Sequence, residues 1–378
     1  MRIVIGADTY PPDVNGAANF AHRLAHGLAG RGHDVHVICP SAGGRTTTSS
    51  AEGVTEHRLR SHRTRLHPTF RACLPWQTTG PVATLLEEIA PDIVHVQSHF
   101  PVCRALANRS RAQGVPLLAT NHFMPENLLG YARVPRRLAT VVSRAAWRDL
   151  VRVYRNAQVI TAPTPRAVQL LQDSGLPVPA MAVSCGIDLG RFGRSAPHMP
   201  TDDIRRVLFV GRLDEEKRVQ ELLQAMALIP RTVPTLAEIV GDGSCRRVLE
   251  DLTDHLGIRD RVVFHGLVSE EDLLAAYARA DLFCMPGIAE LQSLATMEAM
   301  AAGKPVVAAD AMALPHLVKS NTTGRLYPPG DVHSLAKHLL ADPPFRENQE
   351  RLVRRRPGRP GGGCGASGHR DRLRSGRA

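Results

Sequence analysis

Two glutamates stand eight positions apart in "AELQSLATMEAMAAGKPVVAAD", residues 289–310, and no other charged residue lies between them. Glu290 falls in a predicted loop, and Glu298 lies just over one turn inside a predicted helix. A carboxylate can accept hydrogen bonds from two hydroxyls at once, so a pair of carboxylates beside an anion site suits a sugar and a ribose. The same spacing also fits two exposed glutamates, and the motif by itself does not decide between these interpretations.

The helix that carries Glu298 is predicted for residues 294–302. Ser293 is a suitable N-cap residue, and Gly303 ends the helix before Pro305. The first N–H groups of a helix have no partner inside the helix, so they suit an anion. The amides predicted to be free in this way are those of Leu294, Ala295 and Thr296.

A second candidate site lies in "VLFVGRLDEEKR", residues 207–218, which predicts a buried strand that ends at Gly211. Arg212 and Lys217 follow at the edge of the sheet, where they are placed to pair with phosphate oxygens. The alternative is the solvated start of a helix that is rich in Glu and Lys.

The elements that must position these residues follow a simple alternation. Short apolar runs alternate with amphipathic stretches, beginning with "RIVIGA" at 2–7 and resuming with "RVLFVG" at 206–211. This order predicts an α/β fold with parallel sheets, in which two doubly wound, Rossmann-like domains face a central cleft. The predicted division is an amino-terminal domain at 1–190, a linker at 191–203 and a carboxyl-terminal domain at 204–345.

The net charge of +11 is concentrated in one segment. Residues 351–378 carry nine Arg and one Asp, which leaves +3 for the other 350 residues. This Arg-, Gly- and Pro-rich tail has too little apolar composition to fold, and we predict that it is disordered. Because the body of the chain is nearly neutral and has no aromatic stacking motif, we expect no nucleic-acid partner. A non-catalytic adaptor that binds nucleic acid or membrane through the tail is the alternative from a different class.

The spacing of the glycine motifs supports neither a Rossmann dehydrogenase nor a P-loop enzyme. "GLAGRG" at 27–32 ends a helix instead of following a strand, and "GK" at 303–304 lacks the earlier glycine of a P-loop. The sequence has no D-x-D in a suitable loop and no metal-ligand spacing, so we expect no cofactor and no metal. The first residues contain too few apolar positions for a signal peptide or a spanning helix, which predicts a cytoplasmic protein.

A basic amphipathic helix is predicted within residues 122–157, where seven arginines alternate with apolar and aromatic residues. Such a helix suits an anionic membrane surface, which would place the protein peripherally on the inner face of the membrane. The alternative is a helix that packs its apolar stripe on the domain core. The predicted membrane contacts are Arg144, Trp147, Arg148 and Arg152.

Several motifs together resemble one family. "GRLDEEKR", "GDGSCRRVLEDL", "VVFHGLVSEEDLLAAYARADLFCMP" and "AELQSLATMEAMAAGKPVVAAD" resemble, in this order, the carboxyl-terminal domain of retaining nucleotide-sugar glycosyltransferases of family 4, which have the GT-B fold. "DTYPPDVNGAANFAHRLAHGLAGRGHDVHVICP" resembles the opening of the same family, so that the resemblance covers about residues 1–345. "HFMPENLLGY" together with "AELQSLATMEAM" is most similar to the diacylglycerol and phosphatidylinositol hexosyltransferases.

The resemblance implies that the amino-terminal domain lies on the acceptor side and that the carboxyl-terminal domain binds the nucleotide-sugar. It also implies roles for the residues identified above. Arg212 and Lys217 would hold the pyrophosphate of the donor, and Glu298 would bind the ribose of the nucleotide. Glu290, with the amides that follow it, would face the transferred hexose.

Two amino-terminal residues complete the implied site. Gly16, in "VNG", would bring the backbone close to the donor phosphate and sugar, as a residue without a side chain permits. His122, in "TNHF", would contact the sugar near the reacting carbon. The alternatives are a turn glycine and a loop histidine.

The resemblance further implies transfer of a hexose from a nucleotide-sugar to a hydroxyl group on the same face of the sugar. The departing phosphate would help to deprotonate the acceptor, so that the enzyme's contribution is electrostatic and needs no dedicated base. The expected acceptor is a membrane lipid, and a soluble or polysaccharide acceptor is the alternative. Family members usually finish with helices after the second domain, whereas this pattern stops at "RLVRRRPGRPGGG" here.

Overall fold

The computed structural model describes residues 1–13, 15–64, 71–125, 136–192, 202–320 and 322–341. These residues form two sheets that are each covered by helices, one from each half of the chain. The α/β class and the two Rossmann-like units predicted from the alternation of apolar runs are confirmed.

The amino-terminal sheet has eight strands in the order β10-β9-β8-β7-β1-β2-β4-β3, and only the pair β3–β4 is antiparallel. A separate two-stranded sheet pairs β5 with β6 in antiparallel orientation. The strands are β1 Arg2–Gly6, β2 Asp34–Pro40, β3 Thr47–Ala51, β4 Val54–Leu59, β5 His62–Arg63, β6 Arg71–Ala72, β7 Ile93–Val96, β8 Leu117–Thr120, β9 Val159–Ala162 and β10 Ala180–Ala182. The helices of this half are Gly16–Ala29, Pro75–Ile89, Pro101–Gln113, Arg136–Tyr154, Pro165–Asp173 and Leu189–Phe192.

The carboxyl-terminal sheet has six parallel strands in the order β13-β12-β11-β14-β15-β16. The strands are β11 Arg205–Val210, β12 Thr235–Val240, β13 Val262–Gly266, β14 Leu282–Met285, β15 Val306–Ala309 and β16 Gly324–Tyr327. The α-helices are Val219–Leu228, Arg246–His255, Glu270–Arg279, Leu294–Ala301, Leu314–Leu317 and Val332–Leu340, and the 3-10 turns are Glu215–Lys217 and Arg259–Arg261.

Strand composition explains this arrangement. All four residues of β14 are buried, as are Val207, Leu208 and Phe209 of β11, because helices cover both faces of a parallel sheet. In each sheet the chain winds away in both directions from one inner strand, β1 or β11. Ligands of doubly wound sheets bind beyond the carboxyl ends of such strands. The residues that follow Gly6 and Val210 are therefore the first candidates for a binding site.

A buried carboxylate connects the end of β1 to a neighbouring helix. Asp8 accepts hydrogen bonds from the backbone N–H groups of Val102 (3.0 Å) and Cys103 (3.3 Å), and from the Ser98 hydroxyl. It therefore caps the helix Pro101–Gln113, whose own N-cap residue, Phe100, has no side-chain acceptor. Burial raises the pKa of Asp8 above its ordinary value, although these hydrogen bonds lower it.

Close backbone packing fixes the loop after β11. The Leu213 N–H donates to Asp242 O at 3.0 Å, and Leu213 O accepts from the Cys245 N–H at 2.7 Å. Gly241 has φ +131°, and a Cβ added there would lie 1.9 Å from the carbonyl oxygen of Gly211. A Cβ at Gly243 would lie 2.6 Å from Leu213 N. The "GDG" at 241–243 is thus needed for two backbone segments to touch.

Parts of the predicted domain division lie outside the described residues. Among these are most of the linker, 193–201, the end of the predicted second domain, 342–345, and the whole tail, 351–378. Within the linker range, Phe192 packs edge-on against Tyr277 with ring centroids 5.6 Å apart, so the chain already contacts the carboxyl-terminal core at this point. The exact boundaries and the disorder of the tail stay predictions.

We expect Gly241→Ala to lower the free energy of unfolding by about 3 kcal/mol or more, because the strained φ and the clash with Gly211 both oppose a side chain. Gly257→Ala is the matched control. Gly257 also has positive φ (+66°), but a Cβ there meets nothing within 4 Å, so its cost should be about 1 kcal/mol. Urea unfolding measures both variants, and equal losses would show that the contact with Gly211 is unimportant.

Candidate functional site

The loop after β11 brings its two predicted cations to the cleft edge of the sheet. The Arg212 guanidinium donates to Asp214 Oδ2 at 2.6 Å and to Glu216 Oε1 at 2.9 Å. Asp214 is itself held by Ser244, whose N–H and hydroxyl donate to its Oδ1 at 3.1 Å and 2.9 Å. The guanidinium is therefore fixed in place by two carboxylates that share its charge.

Lys217 and Glu290, predicted from separate motifs, form an ion pair between Nζ and Oε1. Their side chains are only 16% and 10% exposed. Two backbone hydrogen bonds hold the Glu290 loop here, from Ile288 N–H to Glu216 O (3.0 Å) and from Ala313 N–H to Glu290 O (3.1 Å). The loop predicted to face a sugar and the segment predicted to bind phosphate therefore form one unit.

The helix predicted for 294–302 is observed at Leu294–Ala301, but the role of Ser293 differs from prediction. Ser293 has φ +63° and its side chain makes no capping hydrogen bond to the backbone. Its hydroxyl bonds to Thr296 Oγ1 at 2.8 Å instead, because the left-handed backbone turns the side chain away from the N–H groups. The helix N-terminus thus has no side-chain cap and stays available for an anion.

Glu298 lies on this helix with one carboxylate oxygen engaged. The Tyr277 hydroxyl is 3.0 Å from Glu298 Oε2 and 3.2 Å from Ala295 O. Burial raises the pKa of Glu298, whereas the Tyr277 hydrogen bond and the nearby charges of Arg191 and Arg23 lower it. Oε1 has no hydrogen bond among those found in the described chain, so it can accept from a ligand hydroxyl.

Gly16 begins the helix Gly16–Ala29, whose N-cap is Asn15: Asn15 Oδ1 accepts from Ala18 N–H at 2.9 Å. Among the described residues, a Cβ at Gly16 would meet only Leu294 Cδ1, at 3.5 Å, which is an ordinary contact across the cleft. Nothing in the part of the chain that the structure describes requires a glycine here. Its predicted closeness to the donor therefore stays a prediction about the ligand.

His122 lies just beyond β8, on the amino-terminal side of the cleft. Its Nδ1 is 3.7 Å from Cys185 Sγ, and its ring packs against Phe20 with centroids 4.6 Å apart. Nε2 is hidden from solvent and has no hydrogen-bond partner among the described residues. Burial lowers the pKa of His122 to about 4, so the imidazole is neutral at physiological pH.

Sequence reasoning missed polar residues that follow the neighbouring strands. Gln97, directly after β7, is 3% exposed, and both atoms of its amide lack a partner among the described residues. Asn121 Nδ2 also lacks a partner among the described residues. The available signal was their position: each comes shortly after a buried strand, at the carboxyl edge where ligands bind.

The predicted basic helix is observed at Arg136–Tyr154, and it differs from prediction at one residue. Arg144, Arg148 and Arg152 are exposed, but Trp147 is 7% exposed and packs in the amino-terminal core. Helical spacing places Trp147 on the face that also carries Leu150, so it packs inward and cannot contact a membrane. The core-packing alternative is correct for that face.

Earlier positions of the same helix leave apolar side chains exposed, namely Leu138, Val141 and Val142, of which Val141 is 62% exposed.

Among the helices that the structure describes, none combines the length and apolar composition needed to cross a bilayer. In the amino-terminal domain, an open basin of about 570 Å³ is lined by residues that include Arg45, Arg60 and His62.

The Lys217–Glu290 pair predicts an asymmetric response to substitution. Lys217→Met should lower the free energy of unfolding by about 2 kcal/mol, because it leaves a nearly buried carboxylate unpaired, and Glu290→Gln in addition should recover most of that loss. Arg231→Gln is the control: its pair with Asp260 is exposed at both ends, so little change is expected. Chemical unfolding tests the cycle, and no recovery in the double variant would contradict the pairing.

Both halves of the chain are similar to known proteins. The family model "Glycosyltransferase Family 4" matches residues 14–191, and "Glycosyl transferases group 1" matches residues 196–355. The GDP-mannose-dependent α-mannosyltransferase of Mycolicibacterium smegmatis is 31% identical over 338 residues, which cover 86% of this chain and 84% of that protein. The α-monoglucosyldiacylglycerol synthase of Streptococcus pneumoniae is 24% identical, over 92% of this chain and 80% of that protein.

The fold has solved counterparts. Sucrose-phosphate synthase from Thermosynechococcus elongatus superimposes with a TM-score of 0.74 at 22% identity, covering 93% of this chain and 94% of that structure. The resemblance stated from the motifs is thereby confirmed. The chain belongs to glycosyltransferase family 4 and is a glycosyltransferase with the GT-B fold.

Proposed function

We propose that this glycosyltransferase transfers a hexose from a nucleotide-sugar to a hydroxyl group with retention of configuration, and that its acceptor is a membrane lipid. The observation that carries the donor half of this proposal is the convergence of Arg212, Lys217, Glu290 and Glu298 around the uncapped N-terminus of the helix Leu294–Ala301. Cations and free amides suit a diphosphate, and carboxylates suit the hydroxyls of sugar and ribose.

The proposed reaction uses these charges in the following way. The bond between the anomeric carbon and the diphosphate oxygen breaks, and Arg212, Lys217 and the helix amides stabilise the charge that develops on the diphosphate. The acceptor oxygen then bonds to the same face of the sugar, and its proton passes to the departing phosphate. Atoms and charges balance without an enzyme base.

The state of His122 supports this proton route. A histidine whose pKa lies at about 4 is a weak base at neutral pH, so it is poorly suited to take the acceptor proton. Its unpartnered Nε2 suits a hydrogen bond to a hydroxyl of the transferred sugar instead. We therefore assign it to positioning the sugar, near the reacting carbon.

Two substitutions test the donor assignment. Glu298→Ala should weaken nucleoside diphosphate binding by about tenfold to a hundredfold, since charge-assisted hydrogen bonds to the ribose are lost. Glu290→Ala should leave that affinity nearly unchanged and mainly lower kcat, because its sugar contact tightens in the transition state. Calorimetric titration with GDP, UDP and ADP, followed by steady-state kinetics with the corresponding hexose donors, provides both values.

The exposed carboxylate Glu271 supplies the control, since Glu271→Ala should change neither quantity. Equal effects of Glu290→Ala and Glu298→Ala on turnover alone would contradict the division of roles. The anomeric proton of the product, observed by NMR, decides the stereochemistry, and an inverted product would overturn the retaining mechanism.

Support for a lipid acceptor comes from the amino-terminal domain. The helix Arg136–Tyr154 presents Arg144, Arg148 and Arg152 to solvent and exposes apolar residues near its beginning, which suits an anionic bilayer surface. The basin with Arg45 and Arg60 among its lining residues lies in the acceptor-side domain and suits a negatively charged head group. The name of the pneumococcal relative includes a diacylglycerol product. A soluble acceptor is the alternative.

Replacing Arg144, Arg148 and Arg152 together by Gln should reduce binding to anionic vesicles, since each charge near such a surface contributes about 1 kcal/mol. Donor hydrolysis should be unaffected. The matched control replaces three exposed arginines elsewhere, Arg31, Arg166 and Arg247, and so removes the same charge. Vesicle sedimentation at low salt is the measurement. Equal losses in both triple variants would indicate nonspecific attraction, and no loss in either would contradict membrane binding through this helix.

A further inference from the structure

Gln292 uses both ends of its side-chain amide on the other domain. Its Oε1 accepts from the backbone N–H of Cys185 at 2.9 Å, and its Nε2 donates to Ser184 Oγ at 2.6 Å. Gln292 is 6% exposed and belongs to the loop that carries Glu290. Ser184 and Cys185 follow β10 of the amino-terminal sheet. A single side chain therefore joins the two halves of the cleft at two points.

The same dipeptide reaches His122. Burial raises the pKa of the Cys185 thiol to about 12, so the sulfur keeps its proton and can donate it. Cys185 Sγ lies 3.7 Å from His122 Nδ1. A neutral imidazole that accepts at Nδ1 carries its proton on Nε2, which is the nitrogen that lacks a partner among the described residues. The thiol thereby selects the tautomer that can donate to a sugar hydroxyl.

The loop around Gln292 is held from both sides. The Thr164 hydroxyl donates to Leu291 O at 2.8 Å, which is a further bond from the amino-terminal domain. The next residue after Gln292 is Ser293, whose φ of +63° costs about 1–2 kcal/mol for a residue with a side chain. A strained conformation persists only where the surroundings impose it, and here part of that restraint comes from across the cleft.

From this chain of contacts we propose that Gln292 is a positioning residue, which holds the Glu290 loop in register with His122 through Ser184 and Cys185 when the two domains are together. The inference rests on the proposed function, since it concerns how that site is assembled. Glu290 and His122 would contact the transferred sugar from different domains. Their separation would then depend on Gln292 and on the Thr164–Leu291 bond, and not on either domain alone.

The kinetic test uses Gln292→Leu, which removes both hydrogen bonds at similar side-chain volume. Nucleoside diphosphate affinity should be unchanged, because Arg212, Lys217 and Glu298 are retained, whereas kcat should fall by about a hundredfold, as misplaced catalytic groups typically show. Gln224→Leu, at an exposed position of the helix Val219–Leu228, is the matched control and should change neither value. Unchanged kcat would overturn the proposal. Parallel losses of kcat, nucleotide affinity and free energy of unfolding would also overturn it, because they would indicate a general structural role.

A second readout does not depend on activity. With ¹⁵N-labelled histidine, the His122 ring should show the tautomer protonated at Nε2, and Cys185→Ser should preserve it because a hydroxyl also donates. Cys185→Ala and Gln292→Leu should both populate the other tautomer, and an unaltered spectrum in both would overturn the link. If the wild-type protein neither bound nucleoside diphosphates nor transferred hexose from any donor, the proposed function would fail. The tautomer measurement would then still show whether Gln292 acts on His122 through Cys185.

Discussion

Charge balance inside the cleft is the constraint on which this site depends. Cations that hold a diphosphate must be partly removed from water, and a buried charge without a partner is costly. The chain satisfies this requirement with its own carboxylates, which pair Arg212 with Asp214 and Glu216, and Lys217 with Glu290. Under the proposed function, a donor diphosphate would take over part of this pairing. Glu290 would then lie next to the phosphates and could turn toward the sugar.

Main-chain contacts position the loops of the site more closely than charge pairing alone could. The "GDG" segment touches the loop after β11 at main-chain distances, and Asp8 ties the end of β1 to a helix N-terminus. Each contact lies directly behind a strand end at which a doubly wound sheet binds its ligands. Packing of this kind tolerates little adjustment, so the positions of the cations follow from the fold itself.

Much of this was predictable from the sequence. Continuous apolar strands and amphipathic helices predicted both sheets, since a parallel sheet is buried on both faces. The ion pair between Lys217 and Glu290 is a finding of the structure, because the two residues were predicted from separate motifs. Two predictions were wrong for physical reasons. The left-handed backbone of Ser293 leaves no trace in a residue that is common at N-caps, and helical spacing alone does not reveal whether the face with Trp147 meets a core or a bilayer. Gln292 was missed because its partners lie more than a hundred positions away along the chain.

The buried polar atoms beside β7 and β8 are relevant to substrate selectivity. The amide of Gln97, Asn121 Nδ2 and His122 Nε2 are withdrawn from solvent without hydrogen-bond partners among the described residues. A compound with correctly placed hydroxyls can form hydrogen bonds with these atoms. Its deoxy analogue would leave them without partners even if it fitted the same space. Pockets of this type reject a missing hydroxyl by several orders of magnitude and an additional methylene only weakly. If these atoms face the bound substrates, the enzyme distinguishes them by the pattern of their hydroxyl groups more than by their size.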